Sequence, residues 1–133
     1  MIVRVYLLCI LFAGAAEVSA STYYVSASEG NDSNNGQSIA SPFQSIEYLN
    51  GMTFAGGDSI LFQSGDYWEG MFWIQGTGSE EERILVGKYG GDERPVLNGF
   101  GYQACLLIYN DSFIDIQDLE LYNEASHLDA QGV

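Results

Sequence analysis

The sequence predicts an all-β chain wound as a solenoid of parallel sheets, with one short helix near its N-terminus. Short apolar runs cut off by glycine or acidic turn residues start at positions 60, 71, 84, 96 and 106, and runs of this length and composition read as strands. Their intervals are 11, 13, 12 and 10 residues, so every second strand recurs after 24, 25 and 22. Such spacing also suits an antiparallel sandwich, but self-similarity at a period of roughly 20 to 50 residues marks a solenoid. Local repetition favours the solenoid. Ile108-Tyr109-Asn110-Asp111 returns as Leu121-Tyr122-Asn123-Glu124, and Val96-Leu97-Asn98-Gly99 sets a further asparagine after a strand. Asparagine in that place suits a corner that visits the left-handed region.

Composition narrows the function classes. Of 133 residues, 47% are hydrophobic and 14% aromatic, enough apolar surface to offset the entropy of ordering, so wholesale disorder is excluded. Four Lys+Arg against 18 Asp+Glu give a net charge of −14, which repels phosphate backbones and anionic lipid and excludes nucleic acid as a partner.

Each element then follows in order. Residues 1–20 carry one early cation, Arg4, an apolar run from Val5 to Ala16 and the small residues Val18-Ser19-Ala20, the layout of a cleaved secretory signal. The apolar run is shorter than the roughly 20 residues that span a bilayer. The expectation is therefore a secreted protein, extracellular or periplasmic, free of the membrane after cleavage. The mature chain would begin at Ser21 and keep three cations, 17 carboxylates and a single cysteine, Cys105. No intramolecular disulfide can form, and Cys105, inside the run 104–108, reads as a buried inert thiol.

Residues 21–58 read as an N-terminal strand, a loop and a capping helix. Thr22 to Ser26 is β-prone. The turn formers between Gly30 and Gly36 make 29–40 a loop. Ser41-Pro42-Phe43-Gln44 offers an N-cap serine, a first-turn proline and a capping-box glutamine, predicting a helix over Pro42 to Asn50.

Residues 59–133 read as about three coils. Strands are expected at Ser59–Phe62, Met71–Ile74, Ile84–Val86, Val96–Leu97, Cys105–Tyr109, Phe113–Ile116 and Leu119–Tyr122. The apolar alternation slips phase at Gln117-Asp118, which predicts a corner there. Phe72, Leu85 and Leu106 are expected to point outward. The sequence stops at Val133 with no capping element, so the expectation is a fragment truncated at its C-terminus.

These residues resemble the opening of exported right-handed parallel β-helix proteins of the pectate-lyase-like superfamily. The likeness rests on Tyr23-Tyr24-Val25-Ser26, the 30–36 turn cluster, Ser41-Pro42-Phe43-Gln44-Ser45-Ile46, Gly57-Asp58-Ser59-Ile60-Leu61-Phe62, Ser64-Gly65-Asp66-Tyr67 and Pro95-Val96-Leu97-Asn98-Gly99. It covers about residues 22–123. The resemblance implies a helix capping the first coil and a polysaccharide or glycan as partner, the full-length protein being monomeric. The superfamily includes polysaccharide lyases, glycoside hydrolases and members with no known reaction, and its catalytic residues usually lie on later coils. None of their motifs is matched here, so the catalytic residues are expected beyond residue 133.

Candidate chemistry in the chain itself is sparse. Eliminative cleavage of a uronic-acid polymer needs a cation or metal at the substrate carboxylate and a base for the neighbouring proton. Only Arg83, Lys88 and Arg94 remain as mature cations, and they read as solvated turn charges. Glycoside hydrolysis needs two suitably spaced carboxylates. Asp115, Asp118 and Glu120 form the leading outward cluster for substrate binding or Ca²⁺, set against a plain solvated acidic face. The loop Asn31-x-Ser33-x-Asn35-Gly36 echoes calcium-loop spacing without its acids, Asp32 being its one carboxylate, and reads as a plain turn. No cofactor is expected in the fragment, with Ca²⁺ left open for the full-length protein. Asn31 and Asn110 fit N-glycosylation acceptors in a glycosylating host. Tyr67, Trp68, Phe72 and Trp73 are sugar-stacking candidates, but their continuous run reads first as core. His127, alone in sequence, reads as a surface residue. Two functions compete: the first coils of an exported lyase or glycoside hydrolase, and a non-catalytic secreted adhesin or glycan-binding surface protein.

Overall fold

The computed structural model describes Gly14 and residues 19–124. Most of the expected signal, His127 and the last residues of the sequence lie outside the described residues. Nine strands and one short helix follow in order: β1 Thr22–Val25, α1 Ile46–Asn50, β2 Ser59–Gln63, β3 Tyr67–Glu69, β4 Phe72–Ile74, β5 Ile84–Tyr89, β6 Val96–Asn98, β7 Leu106–Ile108, β8 Ile114–Ile116 and β9 Glu120–Tyr122. The class is all-β. Among the described residues, no helix is long and apolar enough to cross a membrane.

Every strand pairing among the described residues is parallel. The strands form three sheets, ordered β1-β2-β5-β8, β3-β6-β9 and β4-β7. From β2 onward the chain visits the three sheets in rotation. A hairpin between β4 and β5 is thereby excluded, since β5 pairs with β2 through Ser59↔Leu85 and with β8 through Ile84↔Ile114. β1 is the outer strand of the first sheet, so that sheet begins before residue 59.

Each circuit contains three strands, where the spacing had suggested two. The strand at position 71 does not recur at 96, nor that at 84 at 106. Instead β4 pairs with β7 (Phe72↔Leu106) and β3 with β6 (Tyr67↔Val96). From β2 onward register partners stand between 24 residues apart (Val96↔Glu120) and 34 apart (Phe72↔Leu106), while β1 and β2 are 37 apart (Thr22↔Ser59). The unexpected strand is β3, whose three residues hold one inward apolar side chain, Trp68, between exposed Tyr67 and Glu69.

Alternation along the strands builds the core. Ile60 and Phe62, Trp68, Phe72 and Ile74, Ile84 and Val86, and Leu97 point inward, joined by Val25, Phe43, Ile46, Leu49 and Phe54. Parallel register stacks them in columns. Ile60, Val86 and Ile116 share one, at 0%, 0% and 37% exposure. Trp68, Leu97 and Leu121 share another, at 5%, 0% and 40%. Burial is complete where a column continues on both sides and falls in the last described circuit, where β8 and β9 have one neighbour each. Phe72 is fully buried, contrary to expectation, because β4 begins at Phe72 and the outward position falls to Trp73. Leu106 likewise packs against the core, while Leu85 is half-buried. Cys105 is free and only half-buried, one residue before β7.

The corners follow backbone preference in part. Asn110 and Asp118 adopt left-handed conformations (φ 58° for both), and Asp118 marks the phase slip between β8 and β9. Asn98 and Asn123 do not. At their corner Phe100 (φ 49°) and Gly101 (φ 87°) make the left-handed turn, and the two amides tie neighbouring circuits. Asn98 Oδ1 accepts from the Phe100 and Glu124 N–H groups at 2.9 and 3.0 Å.

The helix is shorter than predicted. Its N-cap is Ser45, whose hydroxyl accepts from Tyr48 N–H at 3.1 Å, whereas Phe43 runs beside β1 in a parallel bridge to Val25. Asp32 sets this boundary. Its carboxylate accepts from Gln44 N–H (2.8 Å), Ser45 N–H (3.0 Å) and the Ser45 hydroxyl (2.6 Å), so the chain starts its helical turn only at Ser45. Gly36 (φ 68°) makes room for Phe43, because a Cβ there would lie 2.2 Å from the Phe43 ring. Ile46 and Leu49 bury one face of α1, and Asn50 closes the free edge of β4. Its Nδ2 donates to Met71 O at 2.9 Å and its Oδ1 accepts from Trp73 N–H at 2.8 Å, as a neighbouring strand would.

Candidate functional site

The outward positions of the second sheet gather the most functional polar groups. Register aligns Tyr67, Val96 and Glu120 in one row and Glu69, Asn98 and Tyr122 in the next. The Tyr67 hydroxyl is the hub. It donates to Glu69 Oε1 at 3.2 Å and accepts from Asn98 Nδ2 at 3.0 Å. The Tyr122 phenol is raised above its ordinary pKa, first by desolvation and then by the Tyr67 hydroxyl beside it and the charges of Glu124 and Glu120. Three strands thus bring two phenols and carboxylates to one face, groups that stack on sugar rings and exchange hydrogen bonds with hydroxyls, while the buried Asn98 amide, bonded to Tyr67, Phe100 and Glu124, ties them together.

A cleft adjoins this face through Gly70, the residue after Glu69. Glu47, Asn50, Gly70, Met71 and Tyr102 line it. Glu47 and Asn50 come from α1, and Tyr102 from the loop after β6.

The residues expected as a substrate or Ca²⁺ cluster are placed differently from one another. Asp115 lies on β8 and Glu120 on β9, with Asp118 at the corner between them. All three are exposed. Asp115 is engaged by Arg83, whose Nε donates to Oδ2 at 2.8 Å. That bond, with the charge of Arg83, holds the Asp115 carboxyl below its ordinary pKa. Arg83 also lies 5.6 Å from the Phe113 ring centroid. Among the described residues, no group of three or more His, Cys, Asp or Glu side chains could hold a metal ion, and Asp115, Asp118 and Glu120 do not form one. Asp32, the carboxylate of the 30–36 loop, is consumed by its bonds to residues 44 and 45. Burial raises its pKa, but the hydrogen bonds from Ser45 and Gln44 outweigh that and hold it lowered.

The other expected groups sort by strand face. Trp68 and Phe72 are core, while Tyr67 and Trp73 are exposed, because neighbours in a strand point to opposite sides. Lys88 Nζ donates to the Gly91 carbonyl at 2.5 Å. Sequence reasoning missed Glu69, Asn98, Tyr122, Glu47 and Tyr102. The alternation Tyr67-Trp68-Glu69 was the available signal for the first of these.

This three-sheet arrangement has solved counterparts. Two crystal structures of the GH136 lacto-N-biosidase from Eubacterium ramulus, native and selenomethionine forms, each match with a TM-score of 0.71 at 23% identity. The shared feature is the fold. The match covers 78% of this chain and 20% of theirs, so the chain spans about a fifth of that enzyme's length. No family model matches the sequence, and neither does any curated protein.

Proposed function

We propose that this chain is the N-terminal part of an exported, carbohydrate-active right-handed parallel β-helix protein of glycoside hydrolase type, with its catalytic carboxylates outside the described residues. The observation that carries the reading is the rotation of parallel strands through three sheets, a fold whose solved counterpart acts as a lacto-N-biosidase. Right-handed winding is the direction that parallel crossovers take almost without exception. Kinship with pectate-lyase-like proteins belongs to the same proposal, as does export through a signal at residues 1–20.

Hydrolysis is favoured over elimination on charge. Arg83 is paired with Asp115 and Lys88 is bonded to a carbonyl, which leaves exposed Arg94 as a single cation to meet a uronate in a chain of net charge −14. The outward face of the second sheet instead supplies tyrosines and acids, which suit the hydroxyls of an uncharged glycan. A second reading, a non-catalytic glycan-binding protein, is favoured by one observation. Asp32 is held by Gln44 and Ser45 and Asp115 by Arg83, so neither stands as a free acid on the described circuits.

The test is to secrete the product of the complete reading frame and incubate it with neutral glycans and with polyuronates. New reducing ends from a neutral glycan are expected. Unsaturated uronate products would overturn the hydrolase reading, and binding without cleavage would replace it with the second.

A further inference from the structure

The cleft between α1 and the loop after β6 has a volume of about 150 Å³ and one feature that folding does not require. Tyr102 leaves 60% of its surface exposed although its backbone is firmly held. Its N–H donates to Gly99 O at 2.9 Å, its carbonyl accepts from Asn123 Nδ2 at 2.7 Å, and the preceding Gly101 N–H donates to Asn123 Oδ1 at 2.9 Å. Left-handed Phe100 and Gly101 shape the turn that carries it. An aromatic ring on a rigid mount is presented to a ligand at little entropic cost, having only two side-chain torsions to fix.

The rest of the cleft complements that ring. Gly70 contributes no side chain, and a Cβ there would stand 3.7 Å from Glu47 Oε1. Met71 adds half-buried apolar surface. The amide of Asn50 is already engaged by β4, so Asn50 forms wall and offers no free donor. Glu47 is exposed and makes no hydrogen bond or ion pair among the described residues. Its place in the first turn of α1 complements the helix dipole, and Gly70 answers its own backbone at φ 120°, but neither accounts for the Tyr102 mount. No cation lines the cleft.

We propose that this cleft is a subsite for one uncharged pyranose ring of a glycan, stacked on Tyr102 with its hydroxyls donating to the Glu47 carboxylate. The inference rests on the glycan reading above and makes it specific. A uronate or sulfated sugar would meet Glu47 with no compensating cation, in a chain of net charge −14, and is rejected by repulsion.

The test titrates the full chain by calorimetry, with ring contacts read by saturation-transfer NMR. The probes are cellotetraose, galactotetraose and tetra-N-acetylchitotetraose as neutral ligands, tetragalacturonate as the anionic one and tetraglucosamine as the cationic one. At least one neutral probe is expected to bind, with affinity falling roughly three- to tenfold in Tyr102→Ala and also falling in Glu47→Gln. Tyr109→Ala, which removes a ring 66% exposed outside the cleft, is expected to change nothing. Circular dichroism confirms that each variant is folded. Neutral binding that survives both Tyr102→Ala and Glu47→Gln overturns the cleft while leaving the glycan reading intact. Tighter binding of tetragalacturonate or tetraglucosamine overturns the uncharged class. Failure of every probe to bind a folded chain overturns both the subsite and the glycan reading of these circuits.

Discussion

Asn50→Ala removes the side chain that closes the free edge of β4. Two hydrogen bonds are lost, to Met71 O at 2.9 Å and from Trp73 N–H at 2.8 Å. The Trp73 bond is exposed and water can replace it, so its loss costs about 0.5–1 kcal/mol. The Met71 bond is part-buried, and leaving its acceptor unpaired costs about 1–2 kcal/mol. The sum is about 2 kcal/mol, a fall of roughly 8–16 °C in Tm for a domain of this size. Asn50→Asp keeps the acceptor for Trp73 N–H but sets a carboxylate against the Met71 carbonyl, and is expected to lose at least as much. Thermal unfolding by circular dichroism gives the magnitude, and hydrogen exchange locates it, with protection lost first at the Trp73 amide. A Tm within about 2 °C of wild type, with Trp73 still protected, would refute the edge-closing role.

Further outcomes follow from single residues. The lowered pKa of Asp32 means that its contribution to stability is fully present above about pH 4, its unfolded range, and is lost as pH falls through the lower folded value. The Tm difference between wild type and Asp32→Ala is therefore expected to shrink as pH falls below about 4, and a difference that widens there contradicts the assignment. Gly36→Ala places a Cβ 2.2 Å from the Phe43 ring at φ 68°, and strain plus overpacking is expected to cost about 3 kcal/mol. In a double-mutant cycle Phe43→Ala should relieve part of that cost, and strict additivity would show that the two do not meet. Protein secreted by the native pathway is expected to begin at Ser21 on N-terminal sequencing, and retention of residues 1–20 defeats the signal.

The sequence disclosed most strands because each carries an inward apolar residue flanked by turn formers, as in Ser59–Gln63 and Ile84–Tyr89. It hid β3, since Tyr67-Trp68-Glu69 exposes two of its three residues and is too short a run for its alternation to stand out. Missing that strand turned a three-strand circuit into an apparent two-strand one, and the uneven corner lengths kept the false period plausible. The helix start was misread because Ser41-Pro42 is a sound local N-cap signal. What overrides it is Asp32, nine residues earlier, together with the parallel pairing of Phe43 to Val25, and both are tertiary. The corner at Gln117-Asp118 was readable because a phase slip is local. The polar face of the second sheet was not, because Tyr67, Asn98 and Tyr122 meet only once register is known. Asp115 stood out in the sequence as a free acid, but Arg83, 32 residues earlier, claims it across the first sheet.

The most direct check of the architecture on which the glycan reading depends is a set of side-chain NOEs in the isotopically labelled chain. Contacts joining Ile60 to Val86, Val86 to Ile116, Trp68 to Leu97 and Leu97 to Leu121 are predicted, since each pair is in parallel register in the first or second sheet. Cross-strand contacts pairing Phe72–Ile74 with Ile84–Val86 in antiparallel order would contradict the three-sheet stack and, with it, the proposed glycan-binding circuits.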